Sequence, residues 1–209
     1  MLRIALSKGR IADKMKACLE AKGLWDKSSA ADSRTLIYRD AGGKYEFILV
    51  KPSDLPVYVE SGAADAGIVG KDILLESPLE IYELMDLNTG SCRMVLAGKP
   101  EGRDALPDIR RIATKYPKTA AGFLAKLGLT ADIIRLEGSV ELAPLVGLAD
   151  AIVDIVESGD TLRANGLVEY RTIYGISTRL VANKVSYKMK KDEINEFIDI
   201  LKYRTEEGL

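Results

Sequence analysis

One stretch of the sequence, residues 151–162, combines residue types that could bind a phosphorylated sugar. Its first half is a nearly continuous apolar run, which predicts a central parallel strand. The turn after that strand contains two hydroxyl side chains and a glycine, and the N–H groups at the start of the next helix can bind a phosphate. Because Asp154 and Glu157 could accept hydrogen bonds from neighbouring sugar hydroxyls, the stretch predicts a site for a ribose 5-phosphate.

A purely structural interpretation fits the same spacing equally well. In that interpretation Ser158 is the N-cap of the next helix, and Asp160 interacts favourably with the dipole of that helix. The spacing alone leaves both interpretations open.

A second candidate site is the segment Ser-Lys-Gly-Arg at residues 7–10. It places two cations and a glycine in a strand-to-helix loop, which would suit a pyrophosphate or a triphosphate. A solvated loop with a serine N-cap is the alternative. Lys51 and Arg93 are further cations beside predicted strands, where each could face a ligand or simply be solvated.

Three other residues have both a functional and a structural interpretation. Glu141 and Asp72 each stand at the start of a predicted helix, where a carboxylate usually serves the helix dipole rather than a ligand. Tyr116 could stack on a base, although an aromatic residue before a proline is more often packed in the core.

The composition excludes several classes of function. The chain has 209 residues, a net charge of -1 and no histidine. A balanced charge without long runs of one sign argues against general nucleic-acid binding. Without histidine, the commonest metal ligand, the usual proton shuttle and every Ser–His or Cys–His nucleophile are missing. Any chemistry must therefore use carboxylates, Lys, Arg, hydroxyls, backbone amides or an added metal.

The sequence also bears on the compartment. No apolar run reaches the length of a signal peptide or a membrane span, and two cysteines cannot form a disulfide framework. We therefore expect a cytoplasmic protein that does not bind membranes.

Predicted strands and helices alternate along most of the chain, which indicates an α/β fold. Residues 34–40 and 45–50 predict a hairpin, and the glycine- and proline-rich loop at 98–107 predicts a junction between lobes. Near the C-terminus, apolar residues at 194, 197, 198 and 201 predict one buried stripe on a terminal amphipathic helix.

The pattern Gly-x-Ala-Asp-Ala occurs twice, at residues 62–66 and 147–151, each time between a predicted helix and a predicted strand. If the repeat is more than coincidence, the chain contains two similar α/β lobes with a ligand cleft between them.

Several of these segments together carry a resemblance to a known family. They are Ala-Leu-Ser-Lys-Gly-Arg at 5–10, Val-Lys-Pro-Ser-Asp-Leu-Pro at 50–56, Gly-Ala-Ala-Asp-Ala-Gly-Ile-Val-Gly-Lys-Asp at 62–72, Cys-Arg at 92–93, Ala-Thr-Lys-Tyr-Pro at 113–117, Leu-Glu-Gly-Ser-Val-Glu at 136–141 and Asp-Ile-Val-Glu-Ser-Gly-Asp-Thr-Leu at 154–162. The chain thereby resembles the ATP phosphoribosyltransferase family in its short form, over nearly its whole length.

The resemblance implies a fold and a reaction. The fold is two lobes of the periplasmic-binding-protein type, type II-like, with lobe I at residues 1–90 and 178–209 and lobe II at 91–177. The reaction is transfer of the phosphoribosyl group from phosphoribosyl pyrophosphate to N1 of ATP, with release of pyrophosphate and use of Mg²⁺. No metal ligands are implied in the chain, because the substrate's pyrophosphate carries the Mg²⁺.

The resemblance also implies roles for individual residues. Phosphoribosyl pyrophosphate is bound by Asp154, Glu157, Ser158, Gly159, Asp160, Thr161 and Leu162. ATP and pyrophosphate are bound by Lys8, Gly9, Arg10, Lys51, Asp72, Arg93 and Tyr116. Catalytic roles fall to Asp154, Glu141 and Lys8, since carboxylates can stabilise an oxocarbenium-like sugar and a cation can stabilise the leaving pyrophosphate.

Partners follow from the resemblance as well. We expect no C-terminal regulatory domain, a dimer of this chain, and a hetero-octamer with a regulatory subunit resembling histidyl-tRNA synthetase that confers feedback by histidine. Two alternatives stay open: a cytoplasmic two-lobed module that binds a small anion without catalysis, and a phosphoribosyltransferase that acts on a free base.

Overall fold

The computed structural model describes residues 1–25, 35–77, 79–104 and 106–202, with Arg10 described by its backbone alone. The chain divides into two compact units. Unit 1 comprises Met1–Gly90 and Ser177–Leu209, and unit 2 comprises Ser91–Ile176. None of the described helices has the length and apolar character needed to cross a lipid bilayer.

Strands and helices alternate through most of the described chain. The strands are β1 (Leu2–Ser7), β2 (Ile37–Arg39), β3 (Tyr45–Val50), β4 (Ala66–Gly70), β5 (Ile81–Asp86), β6 (Cys92–Gly98), β7 (Arg111–Thr114), β8 (Asp132–Arg135), β9 (Ala151–Val156), β10 (Val168–Ile176) and β11 (Thr178–Asn183). The helices are α1 (Arg10–Glu20), α2 (Leu55–Glu60), α3 (Lys71–Glu76), α4 (Pro117–Lys126), α5 (Leu142–Leu145), α6 (Asp160–Ala164), α7 (Lys184–Met189) and α8 (Lys191–Lys202). The predicted hairpin is confirmed as β2 and β3, except that Arg34 lies outside the described residues.

Each unit contains one mixed sheet. The strand order is β2-β3-β1-β4-β11-β5 in unit 1 and β10-β6-β9-β7-β8 in unit 2. In unit 1, β1 is parallel to β3 and β4, while β11 is antiparallel to β4 and β5. In unit 2, β9 is parallel to β7 but antiparallel to β6. The prediction of a parallel strand at β9 is therefore only half right, because its neighbour β6 runs antiparallel to it.

The two sheets share one topology. The order β3-β1-β4-β11-β5 in unit 1 matches β8-β7-β9-β6-β10 in unit 2, with the same parallel and antiparallel pairs. Strands β6 and β11 occupy equivalent places, and each directly follows a passage of the chain from one unit to the other. The fold is thus an α/β fold with two sheets of the same topology. We call β6 and β11 the exchanged strands, because each begins just after the chain passes into the other unit.

The repeated Gly-x-Ala-Asp-Ala pattern has the same local structure in both units. Gly62 and Gly147 adopt φ of 76° and 75°, which favours glycine. Asp65 accepts the N–H of Arg3 at 2.9 Å through its carboxylate and donates its own N–H to the Arg3 carbonyl at 2.9 Å. Asp150 makes the same two bonds, both 2.9 Å, with Arg111. The sequence repeat is therefore also a structural repeat: in each unit its aspartate links the N-terminal ends of two neighbouring parallel strands.

The loop at residues 98–107 lies inside unit 2, so its prediction as a lobe junction is wrong. Its glycines serve packing instead. A Cβ at Gly98 or at Gly102 would come within 2.4 Å of the Tyr170 hydroxyl, which donates a hydrogen bond to the Lys99 carbonyl at 2.5 Å. The glycines therefore make room for a buried aromatic residue.

Unit 1 buries apolar side chains on both faces of its sheet. On one face α1 and α8 cover residues of β1 and β3, and on the other α2 covers β4. The predicted stripe on α8 is confirmed, since Ile194, Phe197 and Leu201 are buried against the sheet of unit 1 and Ile198 is partly buried there. In unit 2 one core cluster is built on β6, β7 and β9, and Met94, Leu96, Ile112 and Leu124 are buried in addition.

Candidate active site

In unit 1 the predicted cations follow strands that end at one edge of the sheet. Parallel strands β1 and β3 are in register from Leu2 opposite Tyr45 to Ser7 opposite Val50, so Lys8 and Lys51 leave the sheet side by side. The Lys8 N–H donates to the Val50 carbonyl at 2.8 Å, and both lysine side chains are exposed. The structure therefore brings these two predicted cations together.

The loop between β1 and α1 turns at Gly9, which has φ +94° and serves as the N-cap of α1. Ser7 is not an N-cap, because its hydroxyl instead donates to the Ile68 carbonyl of β4 at 3.0 Å. Arg10 begins α1, and its side chain lies outside the described part of the chain. The backbone of Gly9 is exposed, as a ligand-binding turn requires.

Asp72 stands in the first turn of α3, directly after β4. Its carboxylate folds back over the start of the helix, where a Cβ placed on Gly70 would lie 2.2 Å from Asp72 Oδ1. A carboxylate in this place stabilises the helix N-terminus, so the structural interpretation of Asp72 accounts for its position.

In unit 2, Asp154 lies near the end of β9 and is partly buried. Burial raises its pKa from 3.8 to about 6; a hydrogen bond from the Ile155 N–H lowers the pKa, the charge of Glu141 raises it and the charge of Lys115 lowers it. Asp154, Glu141 and Lys115 therefore share one electrostatic environment. Glu141 is the partly buried N-cap of α5, and Lys115 follows β7.

Lys115 was not predicted as a site residue. The signal available for it is its position directly after β7, equivalent to the positions of Lys8 and Lys51 after their strands. Tyr116 is buried, with 6% of its surface exposed, in line with the core interpretation of this residue.

The turn between β9 and α6 differs from the structural interpretation in one respect. The N-cap of α6 is Gly159, with φ +82°, and not Ser158. The helix begins one residue later than expected because a left-handed conformation, favourable only for glycine, is needed at this bend. Leu162 is 4% exposed and anchors α6 in the core of unit 2, while the Thr161 hydroxyl stays exposed.

The exposed carboxylate of Asp160 is balanced within the same turn. It accepts the Ser158 hydroxyl at 2.5 Å and is paired with Arg163. These hydrogen bonds, from Ser158 first and Arg163 second, hold the pKa of Asp160 below its ordinary value. Arg163 was missed from the sequence, although its spacing of three residues from Asp160 on a helix is typical of an ion pair.

Arg93, the second residue of β6, is bonded to protein groups. It donates from Nε to Glu169 Oε2 at 3.0 Å, from Nη2 to Glu169 Oε1, and from Nη1 to the Glu157 carbonyl at 3.0 Å. The Glu169 hydrogen bond raises the pKa of Arg93 further. Glu169 was missed because 76 residues separate it from Arg93 and no local pattern connects them.

Among the described residues, no group of three or more Asp, Glu and Cys side chains is arranged to hold a metal ion. The carboxylates near the strand ends, Asp154 and Glu141 in unit 2 and Asp72 in unit 1, are too few for a cage within either unit. Mg²⁺ commonly binds substrate phosphates with only one or two protein carboxylates, so this donor set fits a metal that arrives on a phosphate.

Comparisons of the sequence and of the structure with known proteins point to the same family. A family model described as ATP phosphoribosyltransferase matches residues 51–203. The ATP phosphoribosyltransferase of Thermoanaerobacter sp. (strain X514) is 48% identical over 201 residues, which are 96% of this chain and 94% of that protein. A chain of the ATP phosphoribosyl transferase (HisG:HisZ) complex from Thermotoga maritima has a TM-score of 0.83 and 37% identity, with 97% of each chain covered. The periplasmic aliphatic sulphonate binding protein SsuA from Escherichia coli is similar in fold alone, with a TM-score of 0.62 and 13% identity over 96% of this chain and 70% of its own.

Proposed function

The chain belongs to the ATP phosphoribosyltransferase family, and we propose that its two units take different parts of the substrates. The protein transfers the phosphoribosyl group of phosphoribosyl pyrophosphate to N1 of ATP, giving phosphoribosyl-ATP and pyrophosphate in the first step of histidine biosynthesis. Its fold is the two-lobed, type II-like fold of periplasmic binding proteins.

In this proposal, unit 2 binds the sugar phosphate of the donor. The observation that carries it is the turn at residues 157–162, which is bent at Gly159, neutralised at Asp160 and preceded by a partly buried carboxylate at Asp154. Backbone N–H groups and the Thr161 hydroxyl bind the 5-phosphate. Asp154 and Glu157 accept hydrogen bonds from the ribose hydroxyls.

The same carboxylates serve the chemistry. As pyrophosphate leaves, positive charge develops on C1 and the ring oxygen of the ribose, and a nearby ionised carboxylate stabilises this charge. Desolvation makes Asp154 effective in this role, because a poorly solvated anion interacts more strongly with a developing cation. Glu141 adds negative charge beside it. The N1 atom of adenine attacks with its lone pair, so no histidine-like general base is needed.

Unit 1 contributes cations in this proposal. Lys8 and Lys51 are exposed at one sheet edge, and we assign them to the pyrophosphate and to the phosphates of ATP, together with the backbone of Gly9 and the start of α1 at Arg10. Asp72 lies at the same edge, after β4. Mg²⁺ would be held by the substrate's pyrophosphate, which Lys8 and Lys51 bind, and would supply positive charge to the leaving group there.

A regulatory partner is part of the proposal. The Thermotoga maritima relative occurs in a complex of HisG with HisZ. By analogy we propose that this chain forms a dimer and works in the cytoplasm in a hetero-octamer with a subunit resembling histidyl-tRNA synthetase, which confers feedback by histidine.

The test measures formation of phosphoribosyl-ATP by ultraviolet absorbance. Pyrophosphatase is present to hydrolyse the released pyrophosphate and so pull the reaction forward. The chain is assayed with ATP, phosphoribosyl pyrophosphate and Mg²⁺, with and without the regulatory subunit. We expect product in both mixtures, and a higher rate with sensitivity to histidine only in the second. Full activity and histidine inhibition without the partner would contradict the proposed complex. Adenine, hypoxanthine and uracil, tested as acceptors, should give no product.

A further inference from the structure

Two guanidinium groups hold two successive carbonyl oxygens in the turn after β9. Arg93 Nη1 donates to the Glu157 carbonyl at 3.0 Å, and Arg163 Nη1 donates to the Ser158 carbonyl at 3.1 Å. Arg93 comes from β6 and Arg163 from α6. The turn is therefore fixed from both sides by charged donors, which make stronger hydrogen bonds than neutral ones.

Fixing these carbonyls also fixes the N–H groups of the turn. In a planar trans peptide the C=O and the following N–H point in opposite directions. When the carbonyls of Glu157 and Ser158 face the two arginines, the N–H groups of Ser158 and Gly159 face away from them. Successive N–H groups with a fixed direction form the type of concave site that binds a phosphate.

Glu169 determines which way Arg93 points. Both of its carboxylate oxygens accept hydrogen bonds from Arg93, from Nε at 3.0 Å and from Nη2. This bidentate pair fixes the plane of the guanidinium, and the remaining Nη1 then faces the Glu157 carbonyl. The side chains of Arg93 and Glu169 are 35% and 30% exposed, so the pair is partly sheltered from solvent.

We propose that Glu169 is a positioning residue for the donor's 5-phosphate, acting through Arg93 on the turn at residues 157–159. The inference rests on the proposed role of that turn and changes the role of Arg93. Arg93 shapes the phosphate site by holding its backbone, and it is not itself a phosphate ligand.

The two roles of Arg93 predict effects of opposite sign when Glu169 is removed. If Arg93 acts on the turn, Glu169→Ala releases the guanidinium and disorganises the N–H groups, so KM for phosphoribosyl pyrophosphate rises about 10- to 100-fold. If Arg93 binds phosphate directly, the same substitution frees a cation, and KM for phosphoribosyl pyrophosphate falls.

The experiment measures kcat and both KM values for Glu169→Ala, Glu169→Gln, Arg93→Ala and the double alanine variant. We expect KM for ATP to change less than about twofold in each single variant. The double variant should be no worse than Arg93→Ala, because both substitutions break one chain of contacts. Glu169→Gln keeps the volume and one acceptor oxygen, so it should fall between Glu169→Ala and the unchanged enzyme.

A matched control is Glu196→Gln, which removes the charge of a surface carboxylate paired with Lys44 in unit 1. It should leave both KM values unchanged. A lower or unchanged KM for phosphoribosyl pyrophosphate in Glu169→Ala, or effects that add in the double variant, would overturn the inference. Failure of the unchanged enzyme to form phosphoribosyl-ATP would instead overturn the proposed function.

Discussion

Two turns occupy the same place in the repeated topology, yet their structures differ. In unit 1, α3 begins at Lys71, immediately after β4 ends at Gly70. In unit 2, residues 157–159 separate the end of β9 from the start of α6. The three additional residues form a turn whose carbonyls are held by arginines, whereas in unit 1 an aspartate covers the helix start. A short local lengthening of a common scaffold thus forms the turn that we propose binds the donor's phosphate.

The strands before these turns differ as well. Because Ala66 and Ala151 are equivalent residues of the repeat, Val69 of β4 corresponds to Asp154 of β9. Val69 is fully buried in an apolar cluster, while Asp154 keeps a carboxylate at the same position. The difference indicates that unit 2 tolerates an unfavourable ionised group where unit 1 has an optimal core residue, as expected for a functional site.

The largest effect is expected when this difference is removed. Asp154→Asn should lower kcat about 10²- to 10³-fold, since it deletes the charge that stabilises the developing cation. The same change should stabilise the fold at pH 8 by up to about 3 kcal/mol, from the difference between 3.8 and about 6 in pKa. Activity assays and thermal unfolding of both proteins measure the two effects.

The sign of the stability effect depends on pH. A carboxyl whose pKa is raised in the folded state imposes its penalty as pH rises from about 4 to about 6, and the penalty is constant above that range. The stability gain of Asp154→Asn should therefore disappear below pH 4. An equal unfolding temperature for the two proteins at pH 8 would show that Asp154 is not desolvated.

The repeated aspartates allow a second comparison between the units. Asp65→Ala should lower the free energy of unfolding by about 3 kcal/mol, because it is buried and also binds Ser186 and Lys190. Asp150→Ala should cost about 1–2 kcal/mol, since Asp150 is more exposed and its additional partners, the Arg110 N–H and the Arg111 guanidinium, are exposed as well. Urea unfolding measures both, and equal losses would contradict the comparison.

The pH dependence of Asp65 has the opposite sign to that of Asp154. Burial raises the pKa of Asp65, but hydrogen bonds from the Arg3 N–H, Lys190 and Ser186 together have a larger effect in the opposite direction. The net result is a pKa below the ordinary value of 3.8. Its contribution to stability is therefore present above pH 4 and is lost as pH falls below that value.

Two glycines with positive φ offer a smaller test. Gly159→Ala should raise KM for phosphoribosyl pyrophosphate about tenfold, because a Cβ there would lie 2.9 Å from Arg163 Nη1 at φ +82°. Gly43→Ala, in the turn between β2 and β3 at φ +65° with no atom within 4 Å among the described residues, should introduce backbone strain in unit 1 but leave that KM unchanged. A similar KM in both variants would argue against the turn of unit 2 as the donor site.

The smallest effects are expected for the exposed cations of unit 1. Lys8→Ala and Lys51→Ala should each weaken inhibition by pyrophosphate about three- to tenfold, and less at high salt, because exposed charges are screened. Lys14→Ala, on the exposed face of α1, is the matched control and should have no effect. Unchanged inhibition in the first two variants would remove these lysines from the site.

Local patterns in the sequence predicted much of this architecture. The stripe on α8, the β2–β3 hairpin and the Gly-x-Ala-Asp-Ala repeat depend on spacing within short segments, and each has the expected structure. The direction of β6 beside β9 could not be deduced, because it depends on where the chain crosses between units. The loop at residues 98–107 was misinterpreted because its glycines make room for the side chain of Tyr170, which is distant in the sequence.

The candidate site shows the same division. Lys8 and Asp154 were found because each lies at or near the end of a predicted strand, just before a turn. The contact of Glu169 with Arg93 spans 76 residues, which one sequence does not reveal, whereas the position of Lys115 directly after a strand was a signal that the sequence offered. Ser158 was a reasonable N-cap by residue type, and only the backbone angles show that Gly159 has that place.

The exchanged strands have a consequence for synthesis on the ribosome. Among the described strands, β5 is hydrogen-bonded only to β11, so the first ninety residues cannot complete their sheet when they emerge. Residues 91–176 form an uninterrupted segment that contains every strand of its own sheet. The part translated second can therefore be the first to finish folding, and the sheet of the N-terminal part must wait for β11, which follows that segment.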